Sequence, residues 1–281
     1  MLGLSLGFIF GLIILAFFCE YMDSTLGMGY GTTLTPVLLI MGYNPLQIVP
    51  VVLISELFSG LLAGVLHHRE GNVNLKPKTL DPFIIARRLR ELGPAMSFRR
   101  GVPPHLKVAL LLALCSVVGT VIAVFIALNL PKFWIKLYIG VLVFMMGVVI
   151  LICFNKDFRF SWSKIIGLGV LASFNKGISG GGYGPVVTSG QILSGVEGKS
   201  AVGITSLAEG ITCAVGILTY VLVSKKPLDF QLAPFIIIGA ICSVPFSAKS
   251  VKKITEKKLK LTIAALTIVL GAWSIIQTVR G

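Results

Sequence analysis

Long apolar segments divide this sequence, and most of them are long enough to cross a lipid bilayer. The eight segments lie near residues 3–22, 46–66, 106–129, 132–153, 162–175, 199–223, 231–248 and 258–278. A membrane-spanning helix needs about 20 apolar residues. Only 13% of the 281 residues are charged, whereas soluble domains carry about a quarter. The sequence therefore predicts an all-α polytopic membrane protein and excludes a soluble enzyme or a disordered chain.

The basic residues predict which side of the membrane each loop faces. The net charge of +14 comes from bases that lie between the apolar segments, as the positive-inside rule expects, so we predict no nucleic-acid partner. In one arrangement, the first and fifth segments each turn back together with the short apolar stretch that follows, so the chain returns to the side from which it started. In that arrangement 19 bases face the cytoplasm and five face outside. In simple alternation of the eight segments, 15 bases face the cytoplasm and nine face outside. We therefore predict a cell (inner or plasma) membrane protein with its N-terminus outside and loops 67–105 and 249–260 in the cytoplasm.

The sequence matches itself at an offset of 153 residues. Residues 27–31 (GMGYG) align with residues 180–184 (GGGYG), and Glu56 aligns with Glu209. This match predicts one membrane domain made of two halves, residues 1–154 and 155–281, with about four long helices each. Because the charge count places equivalent loops on opposite sides, we expect inverted repeats, which put a transporter's binding site near the membrane midplane.

Each half contains a glycine-rich stretch, residues 23–36 or 175–185, that predicts a broken or re-entrant helix. Non-helical backbone at membrane depth is tolerated only against protein or a water-filled cavity, and a helix N-terminus presents free N–H groups to an anion. The predicted substrate-binding residues are Gly29, Gly31, Thr32, Thr33, Lys176, Ser179, Gly180, Gly181, Gly182 and Tyr183. The alternative is that the glycines only allow close helix packing.

Five ionisable residues lie in or beside the apolar segments: Glu20, Asp23, Glu56, Lys176 and Glu209. Ionisable groups are costly inside a membrane, so a functional role is the default hypothesis. Asp23, Glu56 and Glu209 are candidate coupling residues; the two glutamates either carry a proton or stay neutral and cap a broken helix. Asp23 and Lys176 occupy equivalent positions with opposite charges. The sequence favours a pair between them over a Lys176 that faces the anion.

The cytoplasmic loop carries two further features. Residues 82–90 (PFIIARRLR) form a short basic amphipathic stretch, which we expect to lie on the anionic inner leaflet. His67, His68 and His105 lie at the predicted cytoplasmic boundary, where we interpret them as polar interface residues rather than metal ligands.

These motifs together resemble the sulfite exporter TauE/SafE family of membrane permeases. The shared pattern is a glycine-rich break, a short helix, a helix that carries a Glu, and then residues 67–73 (HHREGNV). The resemblance covers residues 1–278 apart from a stretch near 78–104, and the first half departs from it with GMGYG where three consecutive glycines are expected. It implies transport, without ATP, of small sulfur-containing anions such as sulfite, thiosulfate, sulfoacetate or other organosulfonates.

The leading hypothesis is a secondary transporter, not an enzyme, that carries such an anion by alternating access with proton coupling. The alternative is a cation exchanger for Na⁺, Ca²⁺ or H⁺ that uses Glu56 and Glu209, and a remote alternative is an intramembrane enzyme built on Ser179. We expect no metal and no cofactor, because the five cysteines lack metal-ligand spacing and no nucleotide-binding motif is present. The expected partners are the anion and the lipid bilayer, with a homodimer left open.

Overall fold

The computed structural model describes residues 5–41, 43, 45–79, 81–127, 132–152, 160–223 and 229–280, and within them it contains helices and no strand. The helices are α1 (Leu6–Leu26), α2 (Tyr30–Ile40), α3 (Pro45–Arg69), α4 (Pro82–Gly101), α5 (Pro104–Ala127), α6 (Lys132–Ile152), α7 (Trp162–Ser179), α8 (Tyr183–Leu193), α9 (Gly198–Val223), α10 (Ala233–Lys253) and α11 (Glu256–Arg280). Each of the eight predicted segments overlaps one of the long helices in the described residues. The prediction of an all-α chain is confirmed.

Six of the described helices are long and apolar enough to cross a membrane. They cover Leu6–Leu26, Gln47–Arg69, Pro104–Ile126, Gly198–Val223, Ala233–Lys253 and Lys257–Arg280. Large apolar side chains such as Phe10, Leu114 and Phe125 are exposed on their outer faces, as expected for helices surrounded by lipid. Helix α7, which carries Lys164 and Lys176, is outside this set. These features support a multi-pass membrane protein.

Two of the long helices end at the predicted glycine-rich stretches. Gly27 follows α1 with φ of 72°, and Gly180 follows α7 with φ of 70°. Residues with a Cβ rarely adopt this left-handed backbone, so each helix ends there and a short helix begins. Helices α2 and α8 have 11 residues each, which is about 16 Å and about half of the hydrocarbon thickness. The breaks are present; that they re-enter the membrane stays a prediction.

The helices pack in a pattern that recurs between the two parts of the chain. Helix α3 packs on α9, and α6 packs on α11. Helix α1 packs on α10 as α5 packs on α7, and α3 contacts α10 as α5 contacts α9. If α1, α2, α3, α5 and α6 are exchanged with α7, α8, α9, α10 and α11, the first two contacts map onto themselves and each of the others maps onto its counterpart. A duplication would produce this pattern, but the two repeats stay a prediction, and their predicted boundary at 154 lies outside the described residues.

Helices α3 and α9 approach each other closely at two glycines. A Cβ on Gly60 would lie 2.8 Å from the Ser206 carbonyl oxygen, and a Cβ on Gly210 would lie 2.8 Å from the Leu61 nitrogen. Small residues allow helix backbones in membranes to approach in this way. The crossing brings Glu56, one turn before Gly60, to the same interior position as Glu209.

Helix α4 lies within the predicted cytoplasmic loop. Asp81 caps its N-terminus by accepting a hydrogen bond of 2.9 Å from the Phe83 N–H, and the helix is kinked at Gly93, where φ is 73°. The predicted amphipathic stretch forms its first half, with Phe83 exposed and Arg87 paired with Glu91. The position of this helix on the inner leaflet stays a prediction.

Candidate functional site

Lys176 lies in the interior of the molecule, where α7 meets α3 and α9. Its side chain is fully buried. Its ammonium group contacts Glu56 Oε2 and lies 2.7 Å from Glu209 Oε1. Burial of an ammonium group is costly unless carboxylates pair with it in hydrogen-bonding geometry. The two glutamates that align in the sequence therefore act together as counter-ions of one lysine.

Asp23 adds a third carboxyl group to this site. Oxygen atoms of Asp23, Glu56 and Glu209 lie within 4.8 Å of one another. Asp23 Oδ1 also accepts a hydrogen bond of 3.1 Å from the N–H of Tyr30, the first residue of α2. Lys176 thus pairs with the two glutamates, and the pair with Asp23 that the sequence favoured is wrong. The reason is geometric: the glutamates reach Lys176 from facing helices, whereas the α2 N-terminus holds Asp23.

The helix-capping role considered for the glutamates belongs to Asp23 in this structure. Its carboxylate sits at the N-terminus of α2, where the helix dipole and the free N–H groups favour negative charge. Glu56 and Glu209 lie inside the continuous helices α3 and α9. Their side chains point to Lys176 instead of a helix end.

Glu20 joins the site although the sequence did not place it among the site residues. It is buried, and its two oxygens accept hydrogen bonds of 2.8 Å from Ser24 and 2.9 Å from Ser59. Glu20 and Asp23 are three residues apart on α1, so they share one helix face. That spacing is the sequence signal that could have identified Glu20 as a member of the site.

The polar side chains of the site enclose very little space. Glu20, Asp23, Glu56 and Glu209 line a gap that is too small for a water molecule, together with Ser59, Gly60 and Ser206. Among the described residues, Glu56 Oε1 and Glu209 Oε2 have no hydrogen-bond partner. Each glutamate therefore uses one oxygen for its hydrogen bond to Lys176 and keeps the other for a further partner.

The two glycine-rich breaks lie directly against each other. A Cβ on Gly31 would overlap the Gly180 carbonyl oxygen and lie 2.9 Å from the Gly181 Cα. A Cβ on Gly184 would lie 2.8 Å from the Met28 Cα. The Thr188 hydroxyl donates a hydrogen bond of 2.7 Å to the Gly27 carbonyl oxygen. Close helix packing, the alternative role of these glycines, is therefore present at both breaks.

The other predicted binding residues have varied surroundings. Thr32 donates a hydrogen bond of 3.2 Å to the Gly29 carbonyl oxygen. The Thr33 hydroxyl is buried and has no partner among the described residues. Tyr183, the first residue of α8, is fully buried. The side chain of Ser179 lies outside the described part of the structure, so its predicted role stays a prediction.

The two short helices differ at their N-termini. Asp23 accepts the hydrogen bond from the first N–H of α2. Helix α8 has Gly182 at its N-cap, which has no side chain to accept from the following N–H groups. The residue of the second half that aligns with Asp23 is Lys176. The break before α2 therefore has the Asp23 carboxylate at the start of its helix. The break before α8 has no such carboxylate among the described residues and follows Lys176 in the chain.

Equivalent hydrogen bonds tie the ends of α1 and α7 to neighbouring helices. His67 Nε2 lies 2.8 Å from the Ser24 carbonyl oxygen, and the Tyr220 hydroxyl donates to the Gly177 carbonyl oxygen at 3.2 Å. The two pairs are related by the same offset of 153 residues. His67 is fully buried, so its ring contacts protein and not the membrane surface; that the three histidines lie at the cytoplasmic boundary stays a prediction. The alignment of His67 with Tyr220 at the 153-residue offset is the sequence signal that could have identified these two hydrogen bonds.

Asn72 extends the hydrogen bonds around His67. Its Nδ2 lies 3.0 Å from His67 Nδ1 and donates to the Ala248 carbonyl oxygen at 2.8 Å. Ser200 donates to the Asn72 carbonyl oxygen at 3.3 Å. The Gly-Asn-Val sequence therefore links α3, α9 and α10 at one end of the molecule.

Comparison with known proteins finds a membrane-transporter family and a relative named as a probable membrane transporter. The family model for the sulfite exporter TauE/SafE matches residues 12–86 and 91–274. The chain is similar to the probable membrane transporter protein YtnM of Bacillus subtilis (strain 168), with 24% identity over 283 residues that cover 95% of this chain and 83% of YtnM. No solved structure matches the chain. Within the stretch near 78–104 the family match is interrupted only at 87–90, so the expectation that this stretch falls outside the resemblance is wrong.

Proposed function

This chain belongs to the sulfite exporter TauE/SafE family of membrane transporters, and on that premise we propose that it carries a small sulfur-containing anion as a secondary transporter and is not an enzyme. The anion class comprises sulfite, thiosulfate, sulfoacetate and other organosulfonates. The observation that carries the proposal is the buried Lys176, held between Glu56 and Glu209 close to the two helix breaks. Its positive charge attracts an anion into an interior whose other ionisable groups are acidic.

The anion binds at the second break in this proposal. Asp23 already occupies the N-terminus of α2, and a second anion there would meet its repulsion. Helix α8 starts after Gly182 with no side-chain cap, and its N-terminal N–H groups and dipole favour an anion. Lys176 supplies the formal positive charge. The predicted contacts at Gly180, Gly181, Gly182 and Tyr183 are therefore favoured over those at Gly29, Gly31, Thr32 and Thr33.

Entry of the anion requires the two breaks to separate. Gly31 and Gly181 are in backbone contact, and the gap beside the carboxyl groups is too small for water. We propose that two inverted halves rock against each other, so that the site opens first to one side of the membrane and then to the other. The recurring helix contacts and the matched hydrogen bonds of His67 and Tyr220 support this division.

Charge balance supports proton coupling. Asp23, Glu56 and Glu209 surround the single ammonium group of Lys176, and buried charges without a partner are strongly disfavoured. When an anion takes Lys176 as its partner, a released glutamate needs another positive charge. A proton meets this need without extra space, so Glu56 and Glu209 are the proposed proton carriers. The chain resides in the cell membrane with its N-terminus outside in this proposal.

The test is uptake of radiolabelled sulfite, thiosulfate and sulfoacetate into proteoliposomes, with and without an imposed pH gradient. We expect saturable uptake that the gradient stimulates. Lys176→Gln abolishes it, and Glu209→Gln makes it insensitive to the gradient. The control is Lys164→Gln, which removes an exposed lysine from the same helix and should keep uptake near the level of the unmodified protein. Absence of uptake for all three anions contradicts the proposal.

A cation exchanger is the second candidate, favoured by one observation. The carboxyl oxygens of Asp23, Glu56 and Glu209 are close enough together to share a metal ion, and hard cations prefer such ligands. Lys176 opposes this function, because its ammonium group already lies between two of the three. Exchange of Na⁺ or Ca²⁺ in the same proteoliposomes, enhanced by Lys176→Gln, would replace the anion proposal with this one.

A further inference from the structure

A groove on the lipid-facing side of α1 and α10 lies apart from the transport site. Phe17, Phe18 and Tyr21 line it from α1, and Phe246, Lys249 and Lys253 line it from α10. Its volume is about 440 Å³. Both helices are long and apolar enough to cross a membrane, so the groove opens toward the acyl chains of surrounding lipid.

The body of the groove is aromatic and exposed. Phe18 is 64% exposed and Phe246 is 60% exposed. The ring of Phe17 lies 5.7 Å from that of Phe18 and 6.0 Å from that of Phe246, measured between centroids. The Tyr21 hydroxyl and Ser250 Oγ are 2.7 Å apart, which joins the two helices beside these rings. Apolar chains are the natural contacts of such a surface in a membrane.

The end of the groove is basic. Lys249 and Lys253 lie one turn apart on the same face of α10, and both are exposed. Within the described part of the chain, neither has a carboxylate oxygen within 4.0 Å, whereas Lys252 pairs with Glu70 at 3.1 Å. Two unpaired ammonium groups at the end of an apolar groove are complementary to a ligand with an anionic head and apolar tails.

We propose that this groove binds an anionic phospholipid of the leaflet on the side of residues 249–260, where α10 ends and α11 begins. Its phosphate lies between Lys249 and Lys253, and its acyl chains lie against Phe18 and Phe246. Basic residues next to membrane-spanning segments attract anionic lipids, and the aromatic rings restrict where the chains lie. Zwitterionic lipids carry no net negative charge for the two lysines. This site does not depend on the proposed transport function.

The test compares lipid binding to the whole purified protein by native mass spectrometry, with phosphatidylglycerol and phosphatidylcholine as probes. We expect phosphatidylglycerol to be retained in preference and to raise the melting temperature. Lys249→Gln with Lys253→Gln should weaken phosphatidylglycerol binding by about tenfold or more, since each lysine near the surface contributes to the attraction. Lys257→Gln with Lys258→Gln is the matched control, because it removes the same charge from exposed positions on α11.

Specific outcomes would overturn the lipid site. Equal weakening by the two lysine pairs would mean diffuse attraction to a basic surface and no defined groove. Equal retention of the two lipids would mean no anion recognition. Phe246→Ala keeps both lysines and should also weaken phosphatidylglycerol binding. Unchanged binding to this variant would contradict a contact between the groove and the acyl chains. Competition by soluble glycerol phosphate as strong as that by the lipid would contradict it as well.

Discussion

Lys176 illustrates how much one buried charge depends on its partners. The ammonium group is fully buried and contacts carboxylates from two facing helices. Each pairing offsets part of the cost of removing these ions from water. The residue is therefore both a candidate anion ligand and a structural link between α7, α3 and α9.

We expect Lys176→Met to lower the free energy of unfolding by about 3–5 kcal/mol, because it leaves buried carboxylates without their counter-ion. Adding Glu56→Gln and Glu209→Gln to the same chain should recover much of this loss by removing the uncompensated charges. Lys164→Met, at an exposed position of α7, should change stability by no more than about 0.5 kcal/mol. Unfolding by denaturant in detergent micelles measures all three. Equal costs for Lys176→Met and Lys164→Met would contradict a structural ion pair.

The residue types at this site were available from the sequence, but their pairing was not. Glu20, Asp23, Glu56, Lys176 and Glu209 stand out because ionisable residues are rare in apolar segments. Which carboxylate reaches Lys176 depends on the approach of α3 to α9 at Gly60 and Gly210. Sequence spacing contains no measure of that distance, so it favoured the wrong partner.

At the scale of elements, the two glycine-rich breaks form one packed unit. Gly31 and Gly181 allow the backbones of the two breaks to touch. Gly31→Ala should therefore cost on the order of 1–3 kcal/mol, since the added Cβ overlaps a carbonyl oxygen that cannot move without its helix. Gly167→Ala is the control, because a Cβ on Gly167 meets nothing within 4 Å. The melting temperatures of the two variants in detergent measure these effects. Equal melting temperatures for Gly31→Ala and Gly167→Ala would show that the breaks are not in contact.

The ends of α1 and α7 should respond separately to loss of their tethers. His67→Ala removes the group that contacts the Ser24 carbonyl oxygen, and Tyr220→Phe removes the hydrogen bond to the Gly177 carbonyl oxygen. We expect faster amide hydrogen exchange around residues 24–30 in the first variant and around residues 177–183 in the second, since each helix end loses its link to a neighbour. Peptide-resolved mass spectrometry measures the exchange. Acceleration at both breaks by either variant alone would contradict separate tethers.

At the scale of the whole molecule, the sequence predicted the helices better than the contacts between them. Apolar length identified eight of the long helices but not the polar helix α4, and glycine content identified both breaks, because these features are local. The offset of 153 residues also relates His67 to Tyr220, whose hydrogen bonds match. The direct contact of the breaks and the groove between α1 and α10 arise from packing of distant segments, which local patterns do not encode.

The orientation of the whole molecule can be tested in a cysteine-free chain, with the five native cysteines replaced. Single cysteines are then introduced as Ser5→Cys, Lys78→Cys, Thr255→Cys and Arg280→Cys. If the basic clusters face the cytoplasm, a membrane-impermeant maleimide added to intact cells should label Ser5→Cys and Arg280→Cys. Lys78→Cys and Thr255→Cys should react only after permeabilisation.

Simple alternation of eight spans gives the opposite result at three of these four positions. It places residue 5 and residue 280 inside and residue 255 outside, whereas residue 78 is inside in both arrangements and serves as the internal control. The difference arises because, in the predicted inverted arrangement, α1 and α7 each return with the following short helix to the side from which they started. Labelling of Thr255→Cys in intact cells, with Lys78→Cys protected, would therefore contradict the inverted arrangement and the rocking motion that depends on it.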